Sequence, residues 1–206
     1  MMTYPVTVTV LGCRGSIPVS GDQFSRFGGA TCCVFVRAEN AIAVLDAGTG
    51  LLNLSQHLRG ETDIPIFITH CHADHILGIP MCQPALTPGQ QICIYGAVHE
   101  NMDIAAQIGK LVAPPLWPVS THQLPSEITY RAVEPQLALD GLVVESMEGC
   151  HPGGVTVYRL TIGGRRIVYM TDCTITDANY DALLSFCRVW VTAAWSRGRK
   201  KQSSGV

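Results

Sequence analysis

Three histidines and an aspartate fall within six residues in the run Thr69-His70-Cys71-His72-Ala73-Asp74-His75. His70 and His72 stand two apart, so at a strand end they share one face and can grip one metal ion while Cys71 points away. Asp74 and His75 follow at once, where the start of a helix turns them toward a second ion. Imidazole nitrogen and carboxylate oxygen suit zinc, with manganese or iron as the other choices. A second patch, Gly12-Cys13-Arg14-Gly15-Ser16, reads either as a plain turn or as a phosphate cradle of backbone N–H groups with Arg14 and Ser16.

Positioning these groups needs rigid elements. Period-two apolar patterns and turn residues predict strands at 6–11, 31–36 and 41–46, the last two joined at Ala38-Glu39-Asn40. A short apolar run at 64–69 fits a strand buried on both faces and leads directly into the histidines. Further strands are expected at 91–95, 128–133, 142–147, 155–162 and 166–171, with Gly163-Gly164 turning the hairpin between the last two. Helical spacing covers 51–58, 75–82 and 97–111, and Thr176 or Asp177 can cap a helix running to Cys187. Runs of strands with helices between some of them call for sheets covered by helices.

Composition excludes much else. Over 206 residues, 47% are apolar and 15% charged, which argues against disorder and coiled coil. No 18-residue apolar run is present to span a membrane. Net charge is −2, which gives no support to a globally basic nucleic-acid binder. Nine cysteines with no export signal and no C-x-x-C pair point to reduced thiols in a cytoplasmic protein. Cys71, Cys150 and Cys173 read as buried inert thiols, and His57, His99 and His122 as surface residues.

In chain order, Asp46-Ala-Gly-Thr-Gly, the His-x-His-x-Asp-His run, Cys150-His151-Pro-Gly-Gly and Tyr169-Met-Thr-Asp172 resemble the signature of the metallo-β-lactamase superfamily. Leu11-Gly-Cys-Arg-Gly-Ser16-Ile-Pro and Arg26-Phe-Gly-Gly-Ala-Thr31 are similar to its ribonuclease Z and cyclic-nucleotide phosphodiesterase-like branch. The resemblance spans about residues 6–187. It implies an α/β protein (α+β by some schemes) built as an αββα four-layer sandwich. It further implies that His70, His72 and His151 hold a first metal, Asp74 and His75 a second, that Asp172 bridges them, and that Asp46 supports the site from behind. Asp74 then belongs to the catalytic centre. Two ions about 3.5–4 Å apart bring the pKa of a bridging water near neutrality and clamp both oxygens of an in-line displacement at phosphorus.

The implied function is a metal-dependent hydrolase, foremost a phosphodiesterase acting on a cyclic nucleotide or RNA through a metal-bound hydroxide. The alternatives are hydrolysis of another ester, thioester or lactone, and an impaired metal-binding homologue. The last arises because the superfamily completes its second site with a late histidine, and here no histidine follows His151; the second ion is therefore expected to be the weaker. The last 19 residues hold five basic residues and no acidic one, whereas residues 1–187 hold nine basic and sixteen acidic. That shift divides the chain into a metallo-hydrolase domain at 1–187 and an atypical basic tail at 188–206. It reads as a truncated or altered C terminus that leaves the last layer incomplete, the alternatives being a solvated basic tail and a nucleic-acid-binding tail, with a strand at 189–195 and an exposed, poorly packed end at 196–206. No long basic glycine-rich arm is visible. Pro114-Pro115-Leu116-Trp117-Pro118 is apolar and fits a lid or a homodimer contact.

Overall fold

A computed structural model of the chain describes residues 5–39 and 41–187. Asn40, the expected strand at 189–195 and the expected exposed end lie outside the described residues. The first sheet has six strands in chain order: β1 (Val6–Gly12), β2 (Cys33–Ala38), β3 (Ala41–Leu45), β4 (Asp63–Phe67), β5 (Gln91–Gly96) and β6 (Glu127–Ala132). The β1–β2 and β2–β3 pairs are antiparallel, and β3 to β6 run parallel. The second sheet is antiparallel, β7 (Gln136–Leu139), β8 (Leu142–Gly149), β9 (Val155–Ile162) and β10 (Arg165–Tyr169), in the order β10-β9-β8-β7.

Alternation along the strands builds the layers. Val36, Leu45, Phe67 and Tyr95 of the first sheet face Val144, Tyr158, Leu160 and Tyr169 of the second. At the centre, Phe67 stacks on Tyr95 at 4.9 Å and meets Tyr158 edge-on at 5.7 Å, pairs worth about 0.5–1.5 kcal/mol each beyond their buried area. The opposite face of the first sheet (Ile64, Ile66, Ile92, Ile94) is covered by Leu51 and Leu54 of the 3₁₀ segment Thr49–His57, by Ile76 of α1 (Ala73–Ile76), and by Ile104 and Ile108 of α2 (Ile104–Gly109). Beyond the second sheet, Leu183 of α3 (Tyr180–Phe186) packs on Val157 and Val168. The layers are thus helix, sheet, sheet, helix. Among the described residues α3 alone supplies the last of them.

Topology decides where a site can form. In a parallel sheet, ligands gather at the carboxyl ends of the strands. β3, β4 and β5 end together at Asp46, at Thr69–His75 and at the approach to His99. In the second sheet β9 reverses direction, so β8 and β10 run alike and deliver His151 and Asp172 to one end. The two sheets are tied there by Thr156 N–H to the Thr69 carbonyl (2.8 Å) and by the Tyr158 hydroxyl to the Ile68 carbonyl (2.7 Å).

Several local expectations shift. The helix expected over 97–111 starts only at Ile104, because Asp103 caps it by accepting from Ala106 N–H at 2.7 Å. Residues 99–102 instead form a tight turn, with Glu100 and Asn101 at positive φ (50° and 57°). The helix expected at 75–82 splits into α1 and a 3₁₀ turn at Ile79–Met81, since Gly78 N–H goes to the Ala47 carbonyl. β7 was not expected, although Asp140-Gly141, with Gly141 at φ 69°, is the turn signal that joins it to β8. α3 begins at Tyr180, after Asn179 rather than Thr176 or Asp177. The Gly163-Gly164 turn forms as expected, both residues at positive φ.

One ion pair fastens the outer layer. Arg37 on β2 reaches Glu61 and the His57 carbonyl, the latter at 2.9 Å. Burial pushes the Glu61 carboxyl up, but hydrogen bonds from Arg37 and from Arg59 N–H bring it down from 4.5 to about 2. A carboxyl depressed on folding adds stability that is complete above its unfolded value and disappears as pH falls through the folded one. Glu61→Gln should therefore cost about 1–2 kcal/mol in urea unfolding at pH 7. That deficit should shrink between about pH 5 and pH 2; a deficit independent of pH in that window would remove the ion pair as its cause.

Candidate metal centre

The centre is organised from behind by one buried carboxylate. Chain reversal after β3 leaves Asp46 at φ 57° and fully buried. It accepts from Thr69 N–H (2.8 Å), the Thr69 hydroxyl (2.9 Å), His75 Nδ1–H (2.8 Å) and the Tyr169 hydroxyl (3.0 Å). These bonds fix two imidazole tautomers. His75 commits Nδ1–H to Asp46, which leaves Nε2 as its outward donor atom. Thr69 gives its only hydrogen to Asp46, so its oxygen accepts from His70 Nδ1–H at 3.0 Å and His70 Nε2 keeps a free lone pair.

Three ring nitrogens then converge. His72 Nδ1 lies 3.0 Å from His70 Nε2 and 3.2 Å from His151 Nε2. The N···N edge of a zinc tetrahedron with bonds of about 2.0–2.1 Å is roughly 3.3 Å, so the set is spaced for one ion. Burial above all, then the neighbouring His75 charge, drives the His70 ring down to about 3, and burial with His72 lowers His151. With His72 in the tautomer that leaves Nδ1 bare, three lone pairs face one point, an arrangement suited to a cation.

A second set, His70, His75 and Asp172, shares His70 with the first. Asp172 stands at φ 51° after β10, its Oδ2 2.8 Å from His75 Nε2 and 3.9 Å from His70 Nε2. The 2.8 Å contact lacks the alignment of a hydrogen bond, so buried His75 Nε2 has no hydrogen-bond partner. Burial disfavours a charged His75, yet the Asp46 carboxylate and then Asp172 and Asp46 contacts hold the ring far above the ordinary imidazole range. The pocket between two carboxylates therefore demands positive charge, from a proton or a metal. The residues present fit divalent ions of the nitrogen- and oxygen-binding kind.

Asp74 sits beside this second set, Oδ2 3.6 Å from His75 Nε2. The same oxygen accepts Ser16 N–H at 2.7 Å. The Gly12–Ser16 turn therefore does not present the Ser16 N–H to a phosphate, because Asp74 takes it. Arg14 is exposed and lies with its guanidinium over the Phe24 ring at 5.0 Å. Loop 46–50 approaches α1 so closely that a Cβ on Gly48 would lie 2.1 Å from the Asp74 carbonyl oxygen.

Other expectations change here. Cys150 is exposed rather than buried, because it precedes the His151 turn at a strand end; Cys71 and Cys173 are half-buried. His99, expected on the surface, is half-buried against Gly154 and lines a cleft with His70 and His72. The supporting roles of Thr69 and Tyr169 were not foreseen, although Thr69 opens the histidine run and Tyr169 opens the stretch ending in Asp172.

Two facing sheets between helices, with histidines and aspartates gathered where strands end, define the class as the metallo-β-lactamase fold. The family model described as beta-lactamase superfamily domain matches residues 43–202, and the chain belongs to that family, whose members are generally hydrolases. The ribonuclease Z of Treponema pallidum (strain Nichols) is 37% identical over 75 residues, which are 34% of this chain and 21% of the relative. The ribonuclease Z of Natronomonas pharaonis is 37% identical over 76 residues, 35% of this chain and 22% of the relative. The match thus spans about a fifth of the length of these relatives. Among solved structures, the metallo-beta-lactamase fold protein YhfI from Bacillus subtilis superposes with a TM-score of 0.64 at 22% identity, covering 87% of this chain and 67% of that one. A diphosphatase from the PhnP family gives 0.60 at 22%, with coverage of 87% and 70%. The short form of human tRNase Z gives 0.58 at 21%, with 86% and 73%. At these identities the structures establish the fold. No described helix is long and apolar enough to cross a membrane.

Proposed function

We propose that this chain is a metal-dependent phosphodiesterase acting on a cyclic nucleotide or RNA. The observation that carries the reading is the convergence of His70, His72 and His151 nitrogens beside the carboxylate-lined set around His75. His70, His72 and His151 would hold the first ion, and His75 with Asp74 the second, Asp172 lying between them. Zinc suits this donor set best, with manganese or iron as alternatives. Bound ions of this kind supply Lewis acidity and lower the pKa of water toward 7.

The chain's own residues do the rest. Asp46 and Thr69 hold the rings of His70 and His75 in the tautomers that turn Nε2 outward. Asp74 is anchored through Oδ2 to Ser16 N–H, which leaves Oδ1, without a hydrogen bond among the described residues, as the atom that would meet the second ion. The exposed Arg14 and the hydroxyl of exposed Ser16 would meet an entering phosphate. The ribonuclease Z relatives favour a phosphodiester over a carboxylic ester, and nine unpaired thiols favour a reducing, cytoplasmic setting. Among the described residues the second ion would meet fewer imidazole nitrogens than the first, and would bind more weakly.

Zinc titration should accordingly show a tight step and a loose one, and hydrolysis of bis-p-nitrophenyl phosphate should follow the loose step. Asp74→Ala should remove that step, retain the tight one, and slow hydrolysis by about 100-fold or more. Parental rates in Asp74→Ala, or faster cleavage of p-nitrophenyl acetate or nitrocefin than of the phosphodiester, would reject the reading.

A further inference from the structure

Beside His70 and His72 opens a cleft of about 400 Å³, within the roughly 300–1,000 Å³ range of small-ligand sites. Ile76, Met102 and Leu111 form an apolar wall, and His99, Gln107 and Lys110 set polar groups along it. The hydrolytic chemistry above uses none of these six.

Two of the polar groups are rigidly held. Gln107 is 92% buried, at 8% exposure, and its amide nitrogen donates to the carbonyls of Ala97 and Met102, both at 2.9 Å. With both hydrogens committed the amide cannot flip, and its carbonyl oxygen is the group left for a ligand. His99 exchanges backbone hydrogen bonds with Met102 (3.1 and 2.9 Å). Its ring occupies the space over Gly154, where a Cβ would stand 2.3 Å from Nδ1. A fixed acceptor and an imidazole edge on an apolar wall, adjoining the metal-facing histidines, match a flat heterocycle that carries N–H donors. The volume is of the order of one nucleoside.

We propose that this cleft is a nucleoside subsite. It seats a base with an exocyclic amino group against Met102 and Leu111, the amino group donating to Gln107 Oε1. The inference rests on the phosphodiesterase reading and names the part of the substrate next to the phosphorus. A free nucleotide and the terminal nucleotide of an RNA offer the same chemistry.

Calorimetric binding to the zinc-loaded protein tests it, with inorganic phosphate, AMP, UMP and a ten-nucleotide RNA as probes. AMP should bind at least about 10-fold more tightly than phosphate, from the apolar area covered, and more tightly than UMP. Met102→Asp changes a half-exposed side chain; it should bring AMP to within about threefold of phosphate and leave phosphate itself unchanged. An RNA stronger than AMP assigns the subsite to an RNA end, and an RNA equal or weaker assigns it to a free nucleotide. AMP no tighter than phosphate in the parent protein, or a Met102→Asp loss shared equally by both, overturns the subsite. Hydrolysis of bis-p-nitrophenyl phosphate separates the two readings. Hydrolysis without AMP preference rejects the subsite alone, and AMP preference without hydrolysis rejects the phosphodiesterase alone.

Discussion

Asp46→Ala should cost about 3–5 kcal/mol, the range found when one partner of a buried charged pair is removed. The substitution would strand His75 Nδ1, the Tyr169 hydroxyl and both donors of Thr69 in a fully buried place. For a domain of this size it corresponds to a fall in melting temperature of about 10 °C. Asp46→Asn keeps the shape and one acceptor but loses the charge beside His75, so it should fall between parent and alanine variant. Its metal affinity should drop as well, since the tautomers of His70 and His75 are no longer imposed; loss of an outer partner typically costs about 10–100-fold. Thermal melts of the metal-free proteins isolate the first effect, and zinc competition assays the second. An alanine variant melting within about 2 °C of the parent would show that the four hydrogen bonds are not a stabilising hub.

His151→Ala should have the opposite profile, with little effect on folding and a large one on metal. The residue sits half-buried in a turn closed by Gly154 N–H to its own carbonyl at 2.9 Å, beyond the hydrophobic core. Its removal should change stability by about 0.5 kcal/mol or less. At the first metal position it takes away one of three nitrogens, so affinity should fall by more than the roughly 100-fold that an outer partner costs. Metal analysis after dialysis should show the tight equivalent gone, and phosphodiester hydrolysis should fall with it. Retention of that equivalent at parental affinity would exclude His151 as a ligand.

The contrast between these two residues shows which information the chain carries locally. The run from Thr69 to His75 was legible because its chemistry is contiguous: a strand end, alternate histidines and the first turn of a helix are all short-range. Most strand positions were equally legible, since period-two burial and the Asp-Gly and Gly-Gly turns are local signals; β7 was overlooked although its turn was written in plain residues. Pairing distant segments needed the recognised motif pattern. Asp46, His151 and Asp172 are unremarkable singly, and each becomes informative only in chain order with the histidine run.

Other features were decided by tertiary structure alone. Tyr169 donates to a carboxylate 123 residues away, a contact set by how β10 faces β3 across the sandwich. Ser16 N–H is taken by Asp74, 58 residues on, so a turn that reads as a phosphate cradle becomes an anchor for a carboxylate. His99 has no partner in sequence, yet the late start of α2 and the missing Cβ of Gly154 seat it beside His70 and His72. The sequence by itself determined the sheet-forming pattern, the donor types and the local spacing of His70 and His72, because these depend on side-chain chemistry and backbone period. Tautomers, charge balance and the cleft depend on which groups share a buried volume, and only the packing of one sheet against the other settles that.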